Sequence, residues 1–205
     1  MVERADGSYG PLGGTQGRIM ARAGVKAIFV TITQELRFSD DHGRSWHSSI
    51  FPDFGFGEAG IVERKDGALL MNLRRHWAPP GTPKHCRWSS ISLDSGETWS
   101  EHVPILQLPD GPSGTTYGLC GGFVRRACDD LLVFSNVVSK RERRNGHFWI
   151  SSDDGASWVL GKMIEQGGFA YSSLAAMGSS VYVLYEGGPK QSRRITFAEL
   201  DVNRA

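Results

Sequence analysis

Ser151-Ser152-Asp153-Asp154-Gly155-Ala156-Ser157-Trp158 is one copy of a pattern that this chain carries three times. The others are Ser39-Asp40-Asp41-His42-Gly43-Arg44-Ser45-Trp46 and Ser92-Leu93-Asp94-Ser95-Gly96-Glu97-Thr98-Trp99. Each reads S-x-D-x-G-x-(S/T)-W. The copies start 53 and 59 residues apart, which marks repeated structural units of about that size. The chemistry of the motif is that of a turn. The Asp side chain bonds backbone N–H groups a few residues on, the Gly takes a backbone angle other residues resist, and the Trp supplies apolar area to anchor the turn on a sheet. The motif therefore specifies architecture rather than chemistry.

Composition narrows the function classes. Of 205 residues, 23 are Lys or Arg and 22 are Asp or Glu, a balance that gives no footprint for nucleic acid. No 18-residue apolar run is present, so no membrane span is expected. The start, Met-Val-Glu-Arg-Ala-Asp-Gly, has no apolar stretch and reads as carrying no secretory signal. Localisation is left open. Cys86, Cys120 and Cys128 are odd in number and lack metal-site spacing, so they read as reduced thiols, and neither a metal nor another cofactor is implied. The 26 glycines and six tryptophans suit short strands joined by tight turns.

Residues 1–17 read as an irregular N-terminal segment, followed by a strand-rich unit over 18–205. Runs at Arg18–Ala23, Ala27–Thr33 and Glu35–Ser39 lead into the first motif. Gly60–Glu63 and Ala68–Arg74 flank a hairpin turn, and Trp88–Ser92 leads into the second motif. Gly122–Ala127 and Leu131–Asn136 flank another hairpin, and Gly146–Ser151 leads into the third. Ser172–Ala176, Val181–Glu186 and Arg194–Asp201 complete the set. No helical period is convincing. Units of about four strands, with the motif between the third and fourth, predict an all-β fold: a β-propeller of four-stranded antiparallel blades, about four of them here.

Hairpin symmetry then brings particular polar groups together. Glu58 and Arg74 are symmetric about residue 66, and Tyr171 and Glu186 about the Gly178-Ser179 turn. Each pair sits at the open end of its hairpin. Arg143 lies in the loop entering the strand that ends at the third motif. In equivalent blades, Glu58, Arg74, Arg143, Tyr171 and Glu186 share one rim. Two converging arginines make a carboxylate trap, and a Tyr beside a Glu can be deprotonated as it attacks. The same residues also fit a solvated ion pair and a packing tyrosine, and spacing alone leaves both readings open.

The segments Gly57–Gly67 and Leu70-Met71-Asn72-Leu73-Arg74 resemble the exo-α-sialidases (neuraminidases) with Asp-box repeats, at the family's glutamate-bearing strand and the arginine strand after it. Arg87 through Trp99 resembles the approach to the next Asp box. Leu132-Val133-Phe134-Ser135-Asn136 resembles the family's LFSNP strand, with Val137 in place of the proline. Ala170-Tyr171-Ser172-Ser173-Leu174 and Leu184-Tyr185-Glu186 resemble its nucleophile strand and the following glutamate strand. The resemblance implies a six-bladed parent fold and a retaining glycosidase that removes terminal sialic acid from glycoproteins, glycolipids or oligosaccharides. It implies Tyr171 as nucleophile, Glu58 as the base that takes its proton, and Arg74 and Arg143 (with Arg144 as fallback) as two of three carboxylate-binding arginines. Glu186 would hold the remaining arginine. A tyrosine nucleophile suits a sugar whose anomeric carbon bears a carboxylate, because a carboxylate nucleophile would be repelled; sialidases are a stated exception to the two-carboxylate scheme.

Two departures qualify this. The family's early arginine, in an Arg-Ile-Pro-type motif, and its early acid/base aspartate are not found, and Asp6 stands in no matching context. The resemblance thus covers the later two-thirds of a sialidase. A missing charged hydrogen bond costs about 1.5–3 kcal/mol and a missing general acid about 10²–10⁴ in rate, so a truncated, impaired enzyme is expected. The alternatives are a non-catalytic Asp-box propeller binding sugar or protein, and assembly with a partner chain that supplies missing blades.

Overall fold

In a computed structural model, the structure describes residues 36–39, 41, 43–49, 55–75, 80–83, 85–110, 118–140, 142–189 and 194–201 in full, and the backbone of 2–3, 9–10, 18–21 and 27–30. Asp6, Asp40, His42 and Arg141 fall outside these residues, as do parts of the first three expected strands. Among the described residues every regular element is a strand, and all pairings are antiparallel. Within 1–17, read as irregular, β1 (Val2–Glu3) pairs with β2 (Tyr9–Gly10).

Four units follow along the chain. The first is β3 (Arg18–Ala21), β4 (Ala27–Val30), β5 (Leu36–Ser39) and β6 (His47–Ser48), hydrogen-bonded in that order. The second is β7 (Phe56–Glu63), β8 (Leu69–Arg75), β9 (Cys86–Ser92) and β10 (Val103–Pro109). The third begins with β11 (Phe123–Arg126), β12 (Leu131–Val137) and β13 (Arg144–Ser151). Its outer strand is the first half of β14 (Val159–Met177), which is 19 residues long. The second half of β14 opens the fourth unit, with β15 (Ser180–Gly188) and β16 (Arg194–Asp201). At Gly168, β14 is paired with both Arg144 and Gly188. Two blades thereby merge into one six-stranded sheet, which the sequence pattern did not foretell.

The three repeat motifs occupy the same place, between third and fourth strands, and have the same bonding. Asp41 Oδ1 accepts from the Ser39 hydroxyl (2.9 Å) and the Ser45 amide (2.8 Å). Asp94 Oδ1 accepts from Ser92 Oγ (2.8 Å) and Thr98 N (2.9 Å), and Asp153 Oδ1 from Ser151 Oγ (2.8 Å) and Ser157 N (2.9 Å). The Ser hydroxyl in turn accepts from the Gly amide at 2.7, 2.7 and 2.8 Å. Two successive left-handed residues make the turn, Ser95-Gly96 (φ 62° and 98°) and Asp154-Gly155 (57° and 89°), which is why glycine recurs there.

The motif tryptophans pack towards the preceding blade. Trp99, 7% exposed, donates Nε1–H to Ser49 Oγ at 3.0 Å. Trp158 sits in the core between the second and third blades with Val62, Leu70, Leu108, Phe123 and Phe134. Trp46, in the first blade, is more exposed than the other two, at 37%. At the far rim, adjacent arginines tie three blades together. Arg125 bonds Glu63 O (2.7 Å) and the Asp154 carboxylate, while the fully buried Arg126 bonds Asp129 and Ser179 O (2.8 Å).

The turn carboxylates carry a pH signature. The Ser157 hydroxyl, with its amide, holds Asp153 below the usual carboxylate range. At Asp94 burial pushes the carboxyl up, and bonds from Thr98 and Ser92 outweigh it, bringing the value down to about 2. Such groups stabilise the fold fully above the unfolded value of about 4 and lose that contribution as pH falls towards 2. The urea midpoint should therefore hold down to about pH 4 and fall below it, less steeply in Asp94→Asn. A profile flat to about pH 2 would contradict this.

Candidate active site

The inner strands β7, β11 and the second half of β14 lie side by side, and two of them carry the same irregularity. In the β7–β8 ladder the register holds from Glu63↔Leu69 to Gly60↔Asn72, then slips so that Gly57 faces Arg74. Glu58 and Ala59 oppose a single residue, a β-bulge. In the β14–β15 ladder the register holds from Met177↔Ser180 to Ser172↔Tyr185, then slips so that Phe169 faces Gly187. Ala170 and Tyr171 oppose a single residue there too. Both expected reacting groups thus sit on bulges at equivalent positions in two blades. Bulges re-aim side chains, and the Glu58 backbone is left-handed, at φ 42°. For a side-chain-bearing residue that conformation costs about 1–3 kcal/mol.

The bulges bring the two side chains together across 113 residues of sequence. Tyr171 Oη donates to Glu58 Oε1 at 2.6 Å. Arg74 Nη1 donates to Glu58 Oε2 and also to Tyr171 Oη, at 3.2 Å. The Glu58 and Arg74 side chains are 5% and 3% exposed, so their charges are screened little by water. Arg143 lies with its guanidinium carbon 5.2 Å from the centroid of the Tyr171 ring, and its Nη2 donates to Gly118 O at 2.7 Å. Glu186 is half-buried, and its Oε2 accepts from the Tyr171 amide at 3.4 Å, beside the bulge. Arg144 is placed elsewhere: its side chain is 55% exposed and pairs with Glu142 at 3.5 Å. Of the two register choices, only Arg143 is at the phenol.

Burial pushes the Tyr171 phenol above its ordinary value, and the Glu58 carboxylate pushes it further, against a smaller opposing pull from Arg74. The phenol is therefore protonated at neutral pH and hydrogen-bonded to the group beside it. A phenol in this setting becomes nucleophilic only as its proton leaves. Among the described residues no group of three His, Cys, Asp or Glu side chains is arranged to hold a metal, and no helix is long and apolar enough to cross a membrane.

Sequence reasoning did not single out Arg87 or Asp110. Arg87, on β9, is fully buried and bonds Asn72 Oδ1 (2.7 Å), Leu119 O (2.9 Å) and Glu58 O (3.4 Å). Asp110 faces it at 3.7 Å. The available signal was an arginine flanked by Cys86 and Trp88 in a strand otherwise reading as core.

The family model for the BNR repeat-like domain matches residues 12–183. The chain belongs to this family. Among curated proteins, it is 30% identical over 161 residues to a sialidase of Micromonospora viridifaciens, covering 74% of this chain and 23% of that protein. It is also 30% identical over 165 residues to an anhydrosialidase of Macrobdella decora, covering 73% of this chain and 21% of the other. This BNR repeat-like chain therefore spans under a quarter of the length of these relatives. Among solved structures, the NanB sialidase from Streptococcus pneumoniae superposes with a TM-score of 0.69 at 24% identity, over 93% of this chain and 32% of that one. A leech intramolecular trans-sialidase superposes at 0.67 and 22% identity, over 87% and 29%. These likenesses show the propeller fold, and in sequence this BNR repeat-like chain is similar to the sialidases named here.

With Glu58 replaced by Gln the carboxylate charge beside the phenol is gone. NMR titration of tyrosines labelled at the phenol carbon, assigned by Tyr171→Phe, should show Tyr171 ionising at lower pH in Glu58→Gln than in the parent. An unchanged titration would mean that the pair is not formed in solution.

Proposed function

We propose that this chain works as an exo-α-sialidase-type glycoside hydrolase unit, a partial sialidase-like propeller over 18–205 that releases terminal sialic acid with retention of configuration. The observation that carries the reading is the contact of Tyr171 with Glu58, bridged by Arg74, on matched bulges of two blades. A scaffold has no need of a half-buried phenol in contact with a buried carboxylate and guanidinium, and this favours catalysis over the non-catalytic propeller. The substrate is a sialylated glycan on protein, lipid or oligosaccharide.

The chemistry follows from the charges. The sugar's carboxylate lies against the guanidinium groups of Arg74 and Arg143, which fixes the anomeric carbon over the phenol. Tyr171 Oη attacks that carbon while its proton passes to Glu58, and the bond to the aglycone oxygen breaks. That oxygen leaves with a proton taken from solvent water. Phenol attack avoids the repulsion a carboxylate nucleophile would meet from the substrate's own carboxylate. Arg74 donates to Tyr171 Oη and steadies the phenolate character that develops in the transition state. Water then attacks the anomeric carbon from the face the aglycone left and gives up a proton to solvent, the carbon–Oη bond breaks, and Glu58 returns a proton to the phenolate. Two inversions give net retention. Activity of this chain alone is impaired, since its sequence supplies two of the three arginines and no recognisable acid/base aspartate.

Incubation with a 2,3-difluorinated sialosyl fluoride, followed by peptide mass spectrometry, should place a sugar adduct on the peptide containing Tyr171. Tyr171→Phe should lose the adduct and lower turnover of a fluorogenic sialoside by at least about 10²-fold. A Tyr171→Phe protein that still takes up the label would remove the nucleophile role. An intact protein that neither labels nor hydrolyses, even at high sialoside concentration, would favour the sugar-binding alternative.

A further inference from the structure

Tyr171 and Glu58 belong to the fourth and second blades, so the blade between them decides whether they meet. The bridging element is the short segment 118–122 that leads into β11. Its carbonyl and amide groups are divided among the site's neighbours. Gly118 O accepts from Arg143 (2.7 Å), Leu119 O from Arg87 (2.9 Å) and Cys120 O from the amide of Ser172, next to Tyr171 (3.0 Å). The Gly122 amide donates to Ser135 Oγ (2.8 Å) and Ser172 Oγ (3.3 Å). On the second-blade side the same segment meets the Arg87 side chain and lies against the Asp110 carboxylate.

Arg87 is built for two attachments at once. Its Nη1 donates to Leu119 O, and its Nη2 is shared between Glu58 O, on the strained bulge, and Asn72 O, each at 3.4 Å. Its Nε donates to Asn72 Oδ1 at 2.7 Å, and its guanidinium carbon lies 5.3 Å from the centroid of Phe134, in the third blade. Asp110, itself buried, supplies the opposing charge at 3.7 Å. The carboxylate also confines the segment: a Cβ on Gly118 would come within 2.0 Å of Asp110 Oδ1. A planar fork with several fixed donors can hold two backbone carbonyls in a set relation, which a lysine cannot reproduce.

We infer that Arg87, backed by Asp110, is a positioning residue that locks the Glu58 bulge to segment 118–122 and so sets Glu58 against Tyr171. This rests on the reading of Glu58 and Tyr171 as the working pair. The role differs from that of Arg74 and Arg143, which face the phenol themselves. Arg87 reaches no reacting atom, and acts on the Glu58 side chain through that residue's own carbonyl.

The test uses the full chain with Arg87→Lys, which keeps the charge and removes the fork, and Asp110→Asn, which keeps the shape and removes the counter-charge. Trp158→Phe, in the core between the second and third blades, is the control for lowered stability. Both test variants should shift the Tyr171 phenol titration to lower pH, as loss of the Glu58 contact does, while the control leaves it in place. Sialoside turnover should show kcat reduced by about 10²-fold in Arg87→Lys with KM little changed. A Tyr171 titration in a folded Arg87→Lys protein that matches the parent overturns the inference. If that variant does not fold, an unmoved titration in Asp110→Asn overturns it. Because the titration needs no turnover, an inactive parent would count against the proposed function and still leave this inference decidable.

Discussion

One hydrogen bond, from the phenol of Tyr171 to the carboxylate of Glu58, depends on the whole arrangement of blades around it. Its two ends lie 113 residues apart, and no local structure could bring them together. Each end is set on a bulge that turns it out of the regular alternation of its strand. The bulges are matched in position because the blades are repeats, so one irregularity in the repeated unit yields two converging side chains. The blades are kept in register by the features that repeat most faithfully: the Asp turns, the tryptophans packed backwards, and the Arg125 and Arg126 ties at the far rim. Structural repetition and the site are therefore one device.

The electrostatics of the site follow from burial. A phenol beside a carboxylate in a half-dry setting keeps its proton, and Arg74 touches both partners. Arg143 lies against the ring of the same phenol, so two guanidinium groups stand beside Tyr171. Buried arginine is used twice more away from the phenol, at Arg87 and Arg126. The Arg87 fork binds backbone carbonyls of two blades, and the Arg126 fork binds the Asp129 carboxylate together with the Ser179 carbonyl of the next blade, combinations a point charge would not hold in one geometry.

Much of this was legible in the sequence, for reasons that can be traced. The Ser, Asp, Gly and Trp of each motif act within eight residues, so their turn chemistry could be read locally and the blade period with it. Hairpin symmetry about residue 66 paired Glu58 with Arg74 because the ladder keeps one register from the turn as far as Gly60. It could not show the slip beyond that point, since β7 is buried on both faces and has no inside–outside alternation whose change of phase could be read. The fusion of two blades through β14 was hidden because no strand was expected between the third motif and Ser172, whereas β14 runs through that stretch. Arg87 was overlooked because an arginine in a strand reads as solvent-facing until its carbonyl partners, up to 32 residues away, are known. The choice between Arg143 and Arg144 required the strand's exact facing, which no local signal fixes.

The most direct measurement of the account is a crystal structure of this protein with a sialic acid analogue bound. The account predicts the sugar's carboxylate on Arg74 and Arg143, with the anomeric carbon within about 3–3.5 Å of Tyr171 Oη. An analogue bound at another rim, or with its carboxylate turned away from both arginines, would contradict it.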